Sequence, residues 1–502
     1  MSLKRILIMS TLLLLPLLTA IAQEEPRSLT IFHTNDIHTH FTPSPATWMD
    51  GDPPPQIGGV VALRAYLDQE KATARNSLVL DAGDWMTGTP LSDIEMGGAK
   101  GGGFINLMNL INYDATVIGN HELDGGIDNL ERLIQLMKCD VLSANLYRDE
   151  QLVGTDAYKI YRKGGLKIAV IGLTLDDLFD VAPRSEGLEV HNCVETAQRL
   201  IDQVDPKSDL IVLLTHQGWR ADSLMATQLQ NADIIVGGHS HSRLNPPRQV
   251  NDMLIVHAGS YARYLGRLDL TVQDDAVTAY NGKLIPLLTE GITANPEISR
   301  LVQVFEMQID AEFGAEIGTS EVRLARSYYE ESDLGNLLTD ILLASADVDF
   351  ALLNSGGIRA NLEAGPVSRL TIAEMLPFQN YLVRFVCTGK ELYNFINQNA
   401  RASSFEEHGI MQIAGIEYEW QVEGDSVLIS EILVNGMPLD TEKKYYGITV
   451  DYALSKADRY FGFEPGEQKD THTLIYDAVV QYIQEHPVVQ RPARGRMKEM
   501  QQ

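Results

Sequence analysis

Between residues 28 and 258 short runs of Ile, Val and Leu keep ending in the same few residue types. Ser28–His33, Ser77–Asp81, Ala115–Ile118, Lys167–Leu173, Asp209–Thr215, Asp233–Val236 and Met253–Ala258 all read as strands. Their near-continuous apolar character predicts sheets covered on both faces. Helical spacing over Gly59–Glu70 and Asp128–Met137 separates some of them, so the pattern is that of an α/β domain. Gly97–Gly103 reads as a flexible surface turn, since it lacks the Gly, Lys and Ser/Thr pattern of a phosphate-binding loop.

Five of these runs empty into Asp, Asn and His. Asp36 and His38 follow the first, Asp84 the second, Asn120, His121 and Glu122 the third, His216 another, and His239 and His241 the last of the five. Carboxyl ends of strands in such sheets form the crevice where ligands collect. On an extended segment residues i and i+2 point the same way, so Asp36 is expected to act with His38 and His239 with His241. Donors of this kind without Cys favour Zn²⁺, Mn²⁺ or Fe. Seven are too many for one tetrahedral ion and suit two divalent ions sharing a bridging carboxylate. Such a pair can clamp a phosphoryl group and make hydroxide available near neutral pH. Asp81 reads as structural support. A hydrogen bond that steadies a ligand, or plain packing, is the expectation for His33, His40 and His257.

Composition narrows the partners. The 502 residues carry 40 Lys+Arg against 68 Asp+Glu, a net charge of −28. A chain this acidic does not bind a nucleic-acid polymer through a broad basic face, and any anion site must be built locally. Three scattered cysteines, Cys139, Cys193 and Cys387, make no disulfide framework. Residues 1–22 read as a signal peptide: Lys4 and Arg5, an apolar run from Ile6 to Ile21, and Ala20 and Ala22 before the cut. The expected product is exported, periplasmic or extracellular, with no stable membrane anchor after cleavage.

Asn295–Gly314 reads as one helix with Ile298, Leu301, Val302, Phe305 and Ile309 on one face, taken as the link between domains. Beyond it, a helix over Asp333–Ser345, strands at Asp347–Asn354, Tyr381–Thr388, Gly415–Gln421, Val427–Val434 and Tyr445–Val450, and a helix over Thr473–Glu485 make a second mixed α/β domain. The expected division is 27–292, 293–315 and 316–495.

The strings FHTNDIHTH, LDAGDWMTGTPLS, IGNHELD, LLTHQG and GGHSH resemble the 5′-nucleotidase family of dinuclear metallophosphatases, which includes exported 5′-nucleotidases and UDP-sugar hydrolases. The resemblance implies an α/β fold: a four-layer αββα metallophosphatase sandwich, a connecting helix and a C-terminal mixed α/β 5′-nucleotidase domain. It implies that Asp36, His38, Asp84 and His241 hold one metal and that Asp84, Asn120, His216 and His239 hold the other. His121 and Asp124 match the family's catalytic dyad, although Asp124 also suits a cap for the helix that follows. In the second domain, Leu352–Arg359 (LLNSGGIR) resembles the family's NGGGIR, with Ser355 replacing a Gly, which makes Asn354 and Arg359 substrate ligands. Phe378 in LPF and Tyr452 match two rings that stack on a base, and Asp458 matches an acidic residue near the nucleoside. Three departures stand out. Glu330 occupies the place of a family Arg, with Arg326 one turn away; Lys456-Ala457-Asp458-Arg459 replaces GGDG; and Gly365 replaces a further Arg. The implied activity is hydrolysis of nucleoside 5′-monophosphates, with nucleotide sugars and 2′,3′-cyclic nucleotides open. Thiosulfate-ester hydrolysis and a non-catalytic nucleotide-binding role are the alternatives.

Overall fold

A computed structural model describes residues 25–500 apart from 47, 183, 184 and 186. The expected signal peptide lies outside the described residues. Two six-stranded sheets form the N-terminal part. The first runs, in spatial order, Ala276–Pro286, Tyr264–Gln273, Arg27–Thr34, Ser77–Asp81, Ala115–Val117 and Asp140–Leu142. The second runs Tyr158–Lys163, Leu166–Leu173, Leu210–Thr215, Ile234–Gly237, Met253–Val256 and Arg248–Val250. Within each, the central neighbours are parallel, so their carboxyl ends share one edge.

The layers follow from side-chain alternation. Leu29 and Ile31 of the first sheet meet Ile168, Val170, Val212 and Leu214 of the second in a core between the sheets. Phe32 and Val79 face the other way, into the layer made by the helices Val60–Lys71, Gly102–Ile111 and Ile127–Leu136. Ala169, Ile171 and Leu213 likewise back onto the helices Cys193–Val204 and Trp219–Ala226. The result is the expected αββα order.

Two readings of the sequence need correction. Gly97 and Gly98, at φ 65° and 78°, do turn a short hairpin, but Gly102 and Gly103 open a buried helix. A Cβ on Gly103 would stand 3.0 Å from the Phe305 ring, so this glycine serves close packing. The antiparallel strands Tyr264–Gln273 and Ala276–Pro286 went unread. Their turn uses Asp274 and Asp275 at positive φ, without Gly or Pro, and the outer strand is largely exposed.

The helix Pro296–Phe313 starts where the Asn295 side chain accepts from the Glu297 and Ile298 amides. Its buried face, Ile298, Val302, Phe305 and Ile309, joins the first-sheet helical core. It is therefore fastened to the N-terminal sandwich along its length. The C-terminal domain is built on a five-stranded sheet ordered Met411–Ala414, Phe350–Asn354, Lys444–Val450, Tyr381–Thr388 and Gly466–Leu474. The helices Asp333–Ala344, Gly389–Phe405 and Ile475–Glu485 close its core around Leu338, Phe350, Phe385, Phe395 and Val479. The last helix begins two residues later than read, because Gly466–Leu474 extends as an edge strand.

Candidate active site

All five motifs gather on the shared edge of the two sheets, but not in the extended form expected. Asp36, His38, Asp84, His239 and His241 have φ of 52°, 51°, 54°, 75° and 52°. Non-glycine residues in the left-handed region cost on the order of 1–3 kcal/mol each and persist where the surroundings over-determine them. Here the surroundings are hydrogen bonds between loops. Asp36 N donates to Gly83 O and His38 N to Asp84 O, both at 2.9 Å, while His239 N donates to Asp36 Oδ1 at 3.0 Å. Each turn aims its side chain back over the sheet edge.

The side chains meet in overlapping groups: Asp36, His38 and His241; His38, Asp84 and His121; Asp84, His216 and His239. Asp84 belongs to two of them. Asn120 reaches the third group through its Oδ1, 3.0 Å from His239 Nδ1. The ring tautomers follow from the neighbours. His216 Nδ1 lies 2.6 Å from Ala82 O, and His38 Nδ1 lies 2.9 Å from Thr87 O. A carbonyl only accepts, so Nδ1 carries the proton in both and Nε2 presents a lone pair. His216 Nε2 is fully buried, 3.1 Å from Asp84 Oδ2 without hydrogen-bond alignment. His38 Nε2 faces His241 Nε2 at 3.0 Å and Asp84 Oδ2 at 3.7 Å. Lone pairs converging on carboxylates suit a cation, and the donor set fits divalent ions.

Protons compete with a cation for these lone pairs. Burial opposes charge on His216, yet Asp84 and Asp36 push the ring up to about 10. Burial would also raise Asp84, but His216, His121 and His38 hold it well below the carboxylate range. Burial, with repulsion from Asp84, pushes Asp36 up to about 7, and burial drives His239 down to about 3.

His121 also has partners outside the cluster. Its Nδ1 is 2.8 Å from Asp124 Oδ2, and its ring stacks on Phe378 with centroids 5.5 Å apart. Burial disfavours its charged form, but Asp124 and Asp84 outweigh burial and raise it above its ordinary value. Asp124 does not cap the next helix, whose N-cap is Gly126. His257 pairs with Asp222 at 2.8 Å, His33 packs against Gly266, and His40 lies on Tyr261. Asp81 supports the loops through Thr34, Thr116 and Gly83. Sequence reasoning missed the part played by Glu122. Its buried carboxylate accepts from Asp84 N at 3.0 Å, Met86 N at 3.0 Å and Gly119 N at 2.6 Å, tying two strand-end loops together. An acid directly after Asn120-His121 was the available signal.

The cluster opens into a cavity of about 570 Å³ between the domains. Asn354, Arg359, Phe378 and Tyr452 line it. The Asn354 Oδ1 is buried without a partner, and the Arg359 guanidinium lies 5.7 Å over the Phe378 ring. Asp458 does not join them. Residues Ala457–Tyr460 close into a helical turn that leaves Asp458 exposed and carries Arg459 to the cavity instead. With Lys456, Ala457 and Arg459 in place of the three glycines of GGDG the segment takes helical geometry, and adjacent residues then diverge by roughly 100°. Arg326, Tyr328 and Tyr460 are further lining residues.

Calcineurin-like phosphoesterase family features match residues 29–243, and those of the 5′-nucleotidase C-terminal domain match residues 316–464. The chain belongs to the 5′-nucleotidase family of metallophosphatases. It is a hydrolase of phosphoric ester bonds, and its family implies divalent metals. The chain is 27% identical to protein UshA of Yersinia enterocolitica, over 93% of each chain. It is 28% identical to protein UshA of Escherichia coli, over 88% of each. Its fold matches a 5′-nucleotidase precursor from Thermus thermophilus with a TM-score of 0.85, at 27% identity, covering 95% of this chain and all of the other. Among the described residues no helix is long and apolar enough to cross a membrane.

Proposed function

We propose that this 5′-nucleotidase family member hydrolyses nucleoside 5′-monophosphates to nucleoside and phosphate with two divalent ions. The observation that carries the reading is convergence: the strand-end cluster, His121 with Asp124, and Phe378 with Tyr452 all open on one cavity. Asp36, His38, Asp84 and His241 would hold one ion, and Asp84, Asn120, His216 and His239 the other. When bound, such ions neutralise phosphoryl charge and lower the pKa of water to near 7. Zn²⁺, Mn²⁺ and Fe all suit these donors.

The chain's own groups do the rest. Arg359 offers a two-pronged fork to phosphoryl oxygens, with Asn354 beside it. His121, whose proton Asp124 favours, would offer a donor where the ester oxygen leaves. Phe378 and Tyr452 present apolar faces to a planar base. The left-handed loops around Asp36 and Asp84 fix these donors before substrate arrives, so little reorganisation accompanies reaction. Export rests on the basic and apolar pattern of residues 1–22, and N-terminal sequencing of secreted protein should begin at Gln23. The working division remains 27–292 and 316–495 about the helix between them.

The test is phosphate release by the metal-loaded mature chain from AMP, UMP, UDP-glucose, 2′,3′-cyclic AMP and a phosphomonoester lacking a base. Preference for the nucleotides is expected. Equal turnover of the base-free ester would remove the stacking role. A thiosulfate ester turned over in place of all of these would establish the sulfur chemistry, and no turnover at all would leave a binding protein.

A further inference from the structure

Behind the strand-end cluster lies a buried group that the chemistry above does not use. The Asp222 carboxylate, in the first turn of the helix Trp219–Ala226, is fully buried, as are Thr215 and His257 beside it. Thr215 Oγ1 donates to Asp222 Oδ1 at 2.7 Å, and His257 Nε2 lies 2.8 Å from Asp222 Oδ2. A carboxylate only accepts, so Nε2 of His257 carries the proton. Among the described residues Asp222 pairs with no Lys or Arg, and His257 Nδ1 has no partner. Thr215, Gly237 and His257 stand level with one another at the ends of three neighbouring parallel strands, Leu210–Thr215, Ile234–Gly237 and Met253–Val256. A Cβ on Gly237 would collide with Asp222 Oδ2 and His257 Nε2, so the pair packs directly on the middle strand. His216 follows Thr215, and His239 comes two residues after Gly237, their ring centroids 5.3 Å apart. Gly238 N donates to Thr215 O at 3.1 Å between them. Apolar residues of similar volume in place of a buried ion pair are often neutral or stabilising, so stability alone does not account for this pair. Its hydrogen bonds have fixed length and direction, and they clamp the outer two strand ends onto the glycine between them.

We infer that Asp222 and His257 are positioning residues for the divalent ion that His216 and His239 would hold with Asp84 and Asn120. This rests on the two-ion reading above. Neither side chain touches substrate. They act through the strand ends that set the spacing of the His216 and His239 rings, as partners behind a metal ligand do.

The test is calorimetric titration of the metal-free full chain with Mn²⁺, with His239→Ala marking the binding step that belongs to this ion. Asp222→Leu combined with His257→Phe removes the pair and fills its space. His257→Gln keeps an N–H for the carboxylate, and Thr215→Val removes one hydrogen bond at nearly the same volume. The double variant should weaken the marked step ~10–100-fold and leave the other step unchanged, while melting at about the wild-type temperature. Thr215→Val should weaken the same step about fivefold, the worth of one hydrogen bond, and His257→Gln should keep most of the affinity. Equal weakening of both steps would mean a structural role and overturn the inference, as would a double variant that binds both ions like wild type. Should the double variant fail to fold, Thr215→Val decides: selective loss upholds the positioning role, and unchanged binding ends it. A wild-type chain that takes up no second ion would overturn the two-ion reading itself, and the positioning role with it.

Discussion

Glu122 gives the sharpest prediction because its work is countable. Its carboxylate accepts three backbone N–H groups, from Asp84, Met86 and Gly119, at a site 1% exposed. Glu122→Ala removes both acceptor oxygens and so all three hydrogen bonds at once. A buried N–H left unsatisfied costs about 1–3 kcal/mol. The low end applies, because the vacated space admits water, so the sum is about 3–5 kcal/mol. For a domain of this size about 1 kcal/mol moves Tm by ~2–4 °C, so the N-terminal transition should fall by ~6–20 °C. The loops so released carry Asp84 and Asn120, and loss of such a supporting partner typically weakens metal binding ~10–100-fold. Scanning calorimetry and a metal titration measure the two effects. Glu122→Gln retains one carbonyl acceptor and should fall between the alanine variant and wild type. A Glu122→Ala protein that melts within ~2 °C of wild type and binds metal equally well would refute the argument.

Three further outcomes are expected. His121→Asn should lower kcat by ~10²–10⁴-fold with metal content unchanged by elemental analysis; lost metal would place His121 among the ligands. Phe378→Ala should raise KM for AMP by ~5–150-fold, the worth of one stacked base, while a base-free phosphomonoester is hardly affected; parallel losses on both would remove the stacking role. The third concerns acid stability. Burial holds His33 down at about 3, against 6.5 for the free side chain. Below 6.5 the unfolded chain takes up this proton while the folded chain does not, so stability falls as pH drops from 6.5 towards 3. The slope reaches about 1.4 kcal/mol per pH unit. His33→Leu should remove about one proton's worth of that slope in denaturant melts at pH 4–6, and an unchanged slope would mean that His33 is solvated.

The chemistry was legible in the chain wherever it depended on residue type and short spacing. Asp36, His38, Asp84, Asn120, His216, His239 and His241 could be picked out because polar donors at the ends of buried strands have few structural reasons to recur. The strands were legible for the same reason: a sheet covered on both faces demands uninterrupted apolar runs, and Leu166–Leu173 and Leu210–Thr215 are such runs. Where a strand lies at an exposed edge that demand vanishes, and Ala276–Pro286 went unseen.

Tertiary structure decided what depends on direction. Local spacing placed Asp36 and His38 on an extended segment, whereas hydrogen bonds their amides donate to the Gly83 and Asp84 carbonyls, about fifty residues away in sequence, hold them in left-handed turns. Whether Asp458 or Arg459 faces the cavity turned on one helical turn, since neighbouring residues of a helix point to different sides. That Arg326 shares a cavity with His241, and Phe378 a stacking contact with His121, follows from the packing of two domains. The sequence by itself thus determined which donors exist and which sheets present them, because burial and periodicity are local demands. Only the folded chain determined where each donor points and which charges are left without partners, because those are settled by contacts between segments far apart in the chain.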